Sequence, residues 1–323
     1  RVPRKILDKG DHGIILDYIK EQLEAPDVFL RKIHALNQTS DELLDTLEFK
    51  DGHIYERHSL PLLEEGRKAG RVWSFSDITG QRQIEDDLKQ TKRKVEKLHE
   101  TALQMSRKQK EEEVYTLTIE TVVNILGFTM CKFVLAEGDR CVTKATSEGF
   151  LFPDTHISEG IAGKTFKTGK GYVIDDLQAE NGAKPRNKTY KSGISTPVGD
   201  MGVLQVVSGR KGAFNQEDMK MVELLANHAA AAINRIRSEK QITYISFHDK
   251  LTGLYNRAFL EQELKRVDTK RQLPICIIMA DINGLKLVND AYGHAVGDKI
   301  LINAARIIKE ACRGEDIIAR WGG

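Results

Sequence analysis

Hydrophobic positions change period several times along the chain, and each change marks an element. Between residues 35 and 79 they fall in short runs bounded by turn residues, with 47–50 and 53–56 flanking Asp51-Gly52. An Asp-Gly pair there predicts a hairpin with a type I′ turn, whose two central residues need positive φ. Glu64-Glu65-Gly66 predicts a wider turn towards a last strand over 71–75, and Asp77-Ile78-Thr79 opens a helix. Beyond Thr79, Ile84, Leu88, Thr91, Val95, Leu98, Ala102 and Met105 alternate spacings of four and three. That is the seam of a left-handed coiled coil. The stripe is narrow, which predicts a coiled-coil helix over 80–108 paired in a parallel homodimer; a helix lying on its own domain is the alternative.

A second α/β block spans 96–237. Strands are expected over 129–135 and 140–145, around Glu137-Gly138-Asp139, and over 193–198 and 203–208, around the turn 199–202. Asn215 with Asp218 three positions on approaches a capping box. The helix it starts carries apolar residues at Met219, Val222, Leu225, Ala226, Ala229, Ile233 and Ile236, and runs as a linker through 238–248. Gly163-Lys164-Thr165 looks like the end of a phosphate-cradling loop. Ser158 stands where the first glycine is required and no strand leads into it, so a helix turn is the expectation.

The last block, 249–323, carries the chemistry. A new helix is expected near Asn256. Pro274 to Ala280 is a continuous apolar run ending in Asp281, which predicts a strand buried on both faces with a carboxylate at its end. An amphipathic helix follows over 299–312. Read by residue type alone, Asp281 is a metal ligand, a helix N-cap or a loop solvation site, Asn289 is a turn residue and Asp298 the N-cap of the next helix. Gly293 and Gly297 are expected to be turn glycines.

Composition narrows the function class. Lysine and arginine number 49 against 47 acidic residues, a net charge of +2. That balance argues against a nucleic-acid partner, which would need a basic excess. The longest apolar runs fall well short of the roughly 20 residues of a membrane span, so no membrane segment is expected. Cys131, Cys141, Cys276 and Cys312 are far apart, which predicts no disulfide framework or zinc site and suits a reducing, cytoplasmic setting. Cys131 and Cys141 are cofactor anchors or, more commonly for this residue type, buried or surface thiols. Arg1 and Gly323 both look like cut ends, which leaves an upstream membrane anchor open.

Three resemblances follow from these strings. "FKDGHIYERHSLPLLEEGRKAGRVWSFSDIT" resembles the C-terminal part of a PAS sensor domain, here 1–79, with the strands that begin the sheet missing. "EGIAGKTFKTGKGYVIDDL", "SGISTPVGDMGVLQVVS" and "FNQEDMKMVELLANHAAAAINRI" resemble a GAF domain over 96–237. "FHDKLTGLYNRAFLEQELKR", "DINGLKLVNDAYGHAVGD" and "RGEDIIARWGG" resemble the N-terminal half of a GGDEF domain over 249–323. The implied fold class is α/β (α+β), with antiparallel-sheet sensor domains joined by coiled-coil helices to a nucleotidyl-cyclase-like domain.

The GGDEF resemblance implies a diguanylate cyclase, which joins two GTP into cyclic di-GMP and releases diphosphate. It implies that Asp281 and the Ile282 carbonyl hold Mg²⁺, two ions per site, and that Asn289 and Asp298 read guanine. It further implies that Gly322 and Gly323 let the backbone approach the nucleotide, and that Arg313 and Asp316 form an inhibitory cyclic di-GMP site. The second metal ligand and the phosphate-binding residues would follow Gly323, so this chain alone is expected to be inactive. Asn283 and Leu285 depart from the common Asp and Phe. A catalytically inactive cyclic di-GMP or GTP receptor is the alternative function. A sensor histidine kinase is a remote one, since Leu251-Thr252-Gly253 replaces the expected phosphoacceptor context and no kinase ATP-binding block follows.

Overall fold

A computed structural model of the chain describes residues 12–39, 41–64, 67–147, 155–180, 182–183, 189–267 and 274–322. It divides into two units, Arg1–Lys97 and Leu98–Gly323, each taken here by itself.

In the first unit, helices α1 (His12–Gln22) and α2 (Pro26–Gln38) precede a three-stranded antiparallel sheet. Its strands are β1 (Leu43–Glu48), β2 (Ile54–Glu64) and β3 (Arg67–Asp77), in the order β1-β2-β3. Pro26 starts α2 at a position where a missing N–H costs nothing. Ile19 of α1, Leu23 just past its end, and Phe29 and Ile33 of α2 pack with Leu47 of β1, with Trp73 of β3 at the edge of the cluster. The predicted hairpin is present, but its turn differs. Gly52 donates to the Phe49 carbonyl and Phe49 to that of His53, both at 2.9 Å. The loop is therefore three residues long, 50–52, and Gly52 supplies positive φ (85°) at its last position. The expected turn at 64–66 falls partly on residues 65 and 66, outside the described ones.

Helix α3 (Thr79–Met105) follows as predicted, but its apolar stripe has two fates. Ile84 and Leu88 are 70% and 67% exposed, whereas Leu98 and Met105 are fully buried in the core of the second unit. The seam from Leu98 onward therefore belongs to an intramolecular core, the alternative weighed above. Only the part over 84–95 keeps an unpartnered apolar stripe.

The second unit is built on a six-stranded antiparallel sheet ordered β6-β5-β4-β9-β8-β7. The strands are β4 (Met130–Glu137), β5 (Arg140–Thr146), β6 (Thr155–His156), β7 (Tyr172–Ile174), β8 (Ser192–Val198) and β9 (Gly202–Ser208). Alternation decides the faces. Phe133, Leu135, Ile194, Leu204 and Val206 point to one side, against α4 (Glu111–Thr121) and the long α6 (Gln216–Phe247). On the other side lies α5 (Gly160–Thr168), where the Thr165 and Ser195 hydroxyls bond at 2.8 Å. Gly163, Lys164 and Thr165 are thus helix residues, with Lys164 paired to Glu180. A Cβ on Gly202 would come within 2.0 Å of the Val134 carbonyl, so β9 reaches β4 only with glycine there. Asn215 and Asp218 complete the capping box of α6.

Helix α6 is tied to the start of α4 by charge. Glu111 receives Arg237 at 2.8 and 3.0 Å and the Tyr115 hydroxyl at 2.6 Å, and Arg235 donates to the Lys108 carbonyl. The Arg237 hydrogen bond holds the Glu111 carboxyl below its ordinary pKa, while burial and then Glu111 push Tyr115 up.

The remaining elements are β10 (Tyr255–Asn256), α7 (Arg257–Val267), α8 (Leu285–Tyr292), α9 (His294–Ala311) and β11 (Ala319–Arg320). One expectation fails here. Residues 275–282 form no strand, and Ile278 is 87% exposed. An apolar run becomes a strand only when neighbours take its N–H and C=O groups, and no described strand pairs with it. Among the described residues no helix is long and apolar enough to cross a membrane.

Leu98→Ala should destabilise the second unit by about 2–5 kcal/mol, the range for a buried large-to-small change. Leu88→Ala should fall within about 0.5 kcal/mol in monomeric protein. Urea unfolding of the two variants checks both.

Candidate functional site

The end of α6 turns into the last domain through a tightly bonded corner. His248 caps the helix, stacking on Tyr244 at 4.0 Å and lying 4.6 Å from the Tyr255 ring, and Tyr255 stacks on Phe259 at 4.0 Å. Asp249 Oδ1 accepts from the Thr252 N–H (2.9 Å) and hydroxyl (2.7 Å), and Gly253 closes the turn at φ 69°. Arg320 reaches back from β11 to the same carboxylate at 3.1 Å, across the parallel β10–β11 pair. Burial pushes Asp249 up, but the bonds from Thr252 and Arg320 outweigh it and leave the carboxyl below its ordinary pKa. Sequence reasoning placed Asp249 at a boundary and missed this ion pair. Its partners are 71 positions apart, so no local pattern links them. Asn256 caps α7 by accepting from the Phe259 N–H at 2.9 Å and also donates to the Ser246 carbonyl at 2.8 Å, fixing the α6–α7 angle.

The predicted nucleotide residues are placed unevenly. Asn289 lies on α8 and its Oδ1 is buried without a partner, pressed against Gly297 of α9. A Cβ on Gly297 would sit 1.8 Å from that oxygen. Gly297 is therefore a helix residue that makes room for Asn289, not a turn glycine. Gly293, at φ 83°, does form the turn and accounts for the start of α9 at His294. Asp298 lies one turn inside α9, so the capping reading of it is excluded; its side chain is exposed beside the Asn289–Gly297 contact.

Asp281 and Ile282 lie in the unpaired segment before α8, Asp281 exposed. A carboxylate and a backbone carbonyl are hard oxygen donors of the kind Mg²⁺ takes, with water and phosphate filling the shell. Among the described residues no group of three or more His, Cys, Asp or Glu side chains gathers anywhere. Arg313 and Asp316 form one turn: Asp316 accepts from the Arg313 N–H at 2.8 Å and returns its own N–H to the Arg313 carbonyl at 3.1 Å. Gly322 has open space around its Cα, and Gly323 lies outside the described residues. In the second block Cys131 is buried, which pushes its thiol up to about 11, and Cys141 shifts the same way.

Residues 246–323 match the family model "Diguanylate cyclase, GGDEF domain", and residues 108–234 match that of the GAF domain. GAF and GGDEF domains are both present. The GGDEF match takes in Asp281, Asn289, Asp298 and the Arg313–Asp316 turn; the GAF match takes in the six-stranded sheet. Relatives include the uncharacterized protein YtrP of Bacillus subtilis, 38% identical over 34% of this chain and 19% of its own length. Another is the bifunctional diguanylate cyclase/cyclic di-GMP phosphodiesterase MucR of Pseudomonas aeruginosa, 36% identical over 31% of this chain and 15% of its own. The chain thus spans under a fifth of these curated relatives. Among solved structures, the GAF domain of a Coxiella burnetii phosphoenolpyruvate-protein phosphotransferase aligns with TM-score 0.43 and 17% identity, over 47% of this chain and 98% of that one.

Asp249→Asn should cost about 1–2 kcal/mol through the lost charged bonds, discounted for partial exposure. Because the folded carboxyl sits below its ordinary value, the stabilisation is complete above the unfolded pKa. It is lost as pH falls through the folded one. Hydrogen exchange of the 249–256 amides, measured from neutral to acid pH, should show protection falling in wild type and already low in the variant.

Proposed function

We propose that the protein is a sensor-regulated diguanylate cyclase. The observation that carries the reading is the Asn289 oxygen buried against Gly297, beside Asp298, within a GGDEF match. An amide and a carboxylate on adjoining helices complement a guanine edge, Asp298 accepting from its N–H groups, and adenine would leave them unpaired. In this reading each domain holds one GTP. The 3′ hydroxyl of each nucleotide attacks the α-phosphorus of the other; a new P–O ester forms, the bond to the β-phosphate oxygen breaks, and diphosphate leaves twice per cycle. Asp281 and the Ile282 carbonyl would hold Mg²⁺, whose charge neutralises the triphosphate.

Two half-sites must meet, so dimerisation is part of the mechanism. The exposed Ile84–Leu88–Val95 stripe is the surface we assign to it, and the 1–79 block, read as a PAS remnant, and the GAF domain bias the geometry of pairing. The Arg313–Asp316 turn, with its guanidinium exposed, is assigned to product inhibition.

Full-length protein incubated with GTP and Mg²⁺ should release diphosphate and form cyclic di-GMP, resolved by chromatography. Asp281→Ala should lower turnover at least about a hundred-fold. Gly297→Ala, which displaces Asn289, should raise KM for GTP with the fold intact by circular dichroism. No product, together with cyclic di-GMP binding that Arg313→Ala abolishes, would replace the enzyme by a receptor.

A further inference from the structure

The first unit holds an arginine in its core. Arg57 is 0% exposed on the inner face of β2, directly across from Asp45 in the sheet register. Asp45 accepts from its Nε and Nη2, each at 2.9 Å. Phe29 and Trp73 flank it, their ring centroids 5.1 and 5.7 Å from Cζ. The third nitrogen, Nη1, is buried with no acceptor among the described residues, and so is the indole Nε1 of Trp73. Trp73 pairs with Ser59, two residues along β2 from Arg57. The two unpartnered donors therefore belong to neighbouring side chains on one face of the sheet.

A buried N–H without an acceptor has lost its bond to water and gained none in return. Two side by side mark a place where an acceptor fits. The surrounding charge indicates its kind. Lys32 Nζ lies 3.1 Å from Asp45, so one carboxylate serves two cations. Among the described residues a third, Arg71, directs its donors to neutral oxygens: Ser59 Oγ (2.9 Å), the carbonyls of Leu36 (2.9 Å), Thr39 (3.2 Å) and Ser59 (3.3 Å), and that of Asp41. Asp77, at the end of β3, is turned to Thr79. The excess of positive charge favours an anionic acceptor over a neutral carbonyl. The flanking aromatic rings favour an organic body over a hydrated inorganic ion.

We propose that this unit binds a small organic carboxylate, whose oxygens accept from Arg57 Nη1 and Trp73 Nε1. The site stands on the first unit's own geometry and is independent of the cyclase reading.

The 323-residue chain has two tryptophans, Trp73 and Trp321. With indole-¹⁵N label, titration with sodium benzoate or sodium succinate should move the Trp73 indole N–H downfield in a saturable way and leave Trp321 in place. Benzamide and inorganic phosphate should not reproduce the shift. Trp73→Phe keeps the ring and removes one donor, so calorimetry should show affinity for the responding carboxylate about ten-fold weaker. Arg57→Lys should abolish binding; because it risks the fold of the unit, the tryptophan variant decides. The site is refuted if neither carboxylate moves the Trp73 signal at about millimolar concentration or below. An equal response to benzamide or phosphate, or undiminished affinity in folded Trp73→Phe, overturns it as well.

Discussion

One helix sets the mechanics of the second unit. The first part of α6 buries Val222, Leu225, Ala226, Ala229, Ile233 and Ile236 against the sheet, and its last part runs on to the corner at His248. Its backbone hydrogen bonds run unbroken over 32 residues, so it has no hinge of its own. The Glu111–Arg237 pair and the bond from Arg235 to Lys108 attach the start of α4 to the same helix. Tension at either attachment is carried along one element.

The corner that receives α6 is rigid for a different reason. Asp249, Thr252 and Arg320 form a charged hydrogen-bond set, and a stack of four aromatic rings from Tyr244 to Phe259 fills the inside of the turn. Arg320 comes from β11, immediately before Trp321 and Gly322. The helix end and the approach to the glycine pair thus share one carboxylate.

Much of this was legible along the chain. Strand positions in the GAF sheet, the Asn215 cap and the hairpin at Gly52 are local features, set by side-chain alternation, capping chemistry and backbone sterics. The Asp77-Ile78-Thr79 exit is of the same kind: Thr79 bonds Asp77 and also the Ile54 N–H at 2.9 Å, closing sheet onto helix.

Periodicity reports which residues share a face; it does not say what surface arrives to cover it. The stripe of α3 is continuous in sequence, yet Leu98 is buried and Leu88 exposed because only the later turns meet a core. The run 274–280 is apolar enough for a buried strand and stays exposed because no described strand pairs with it. Gly297 reads as a turn residue until Asn289 is seen to occupy the space a Cβ would need. The tertiary structure alone places Arg57 between two aromatic rings and one carboxylate. Sequence determined most of the helices and strands, since these depend on neighbours along the chain. Burial and pairing were decided by long-range contacts, because desolvation depends on everything that packs around a group.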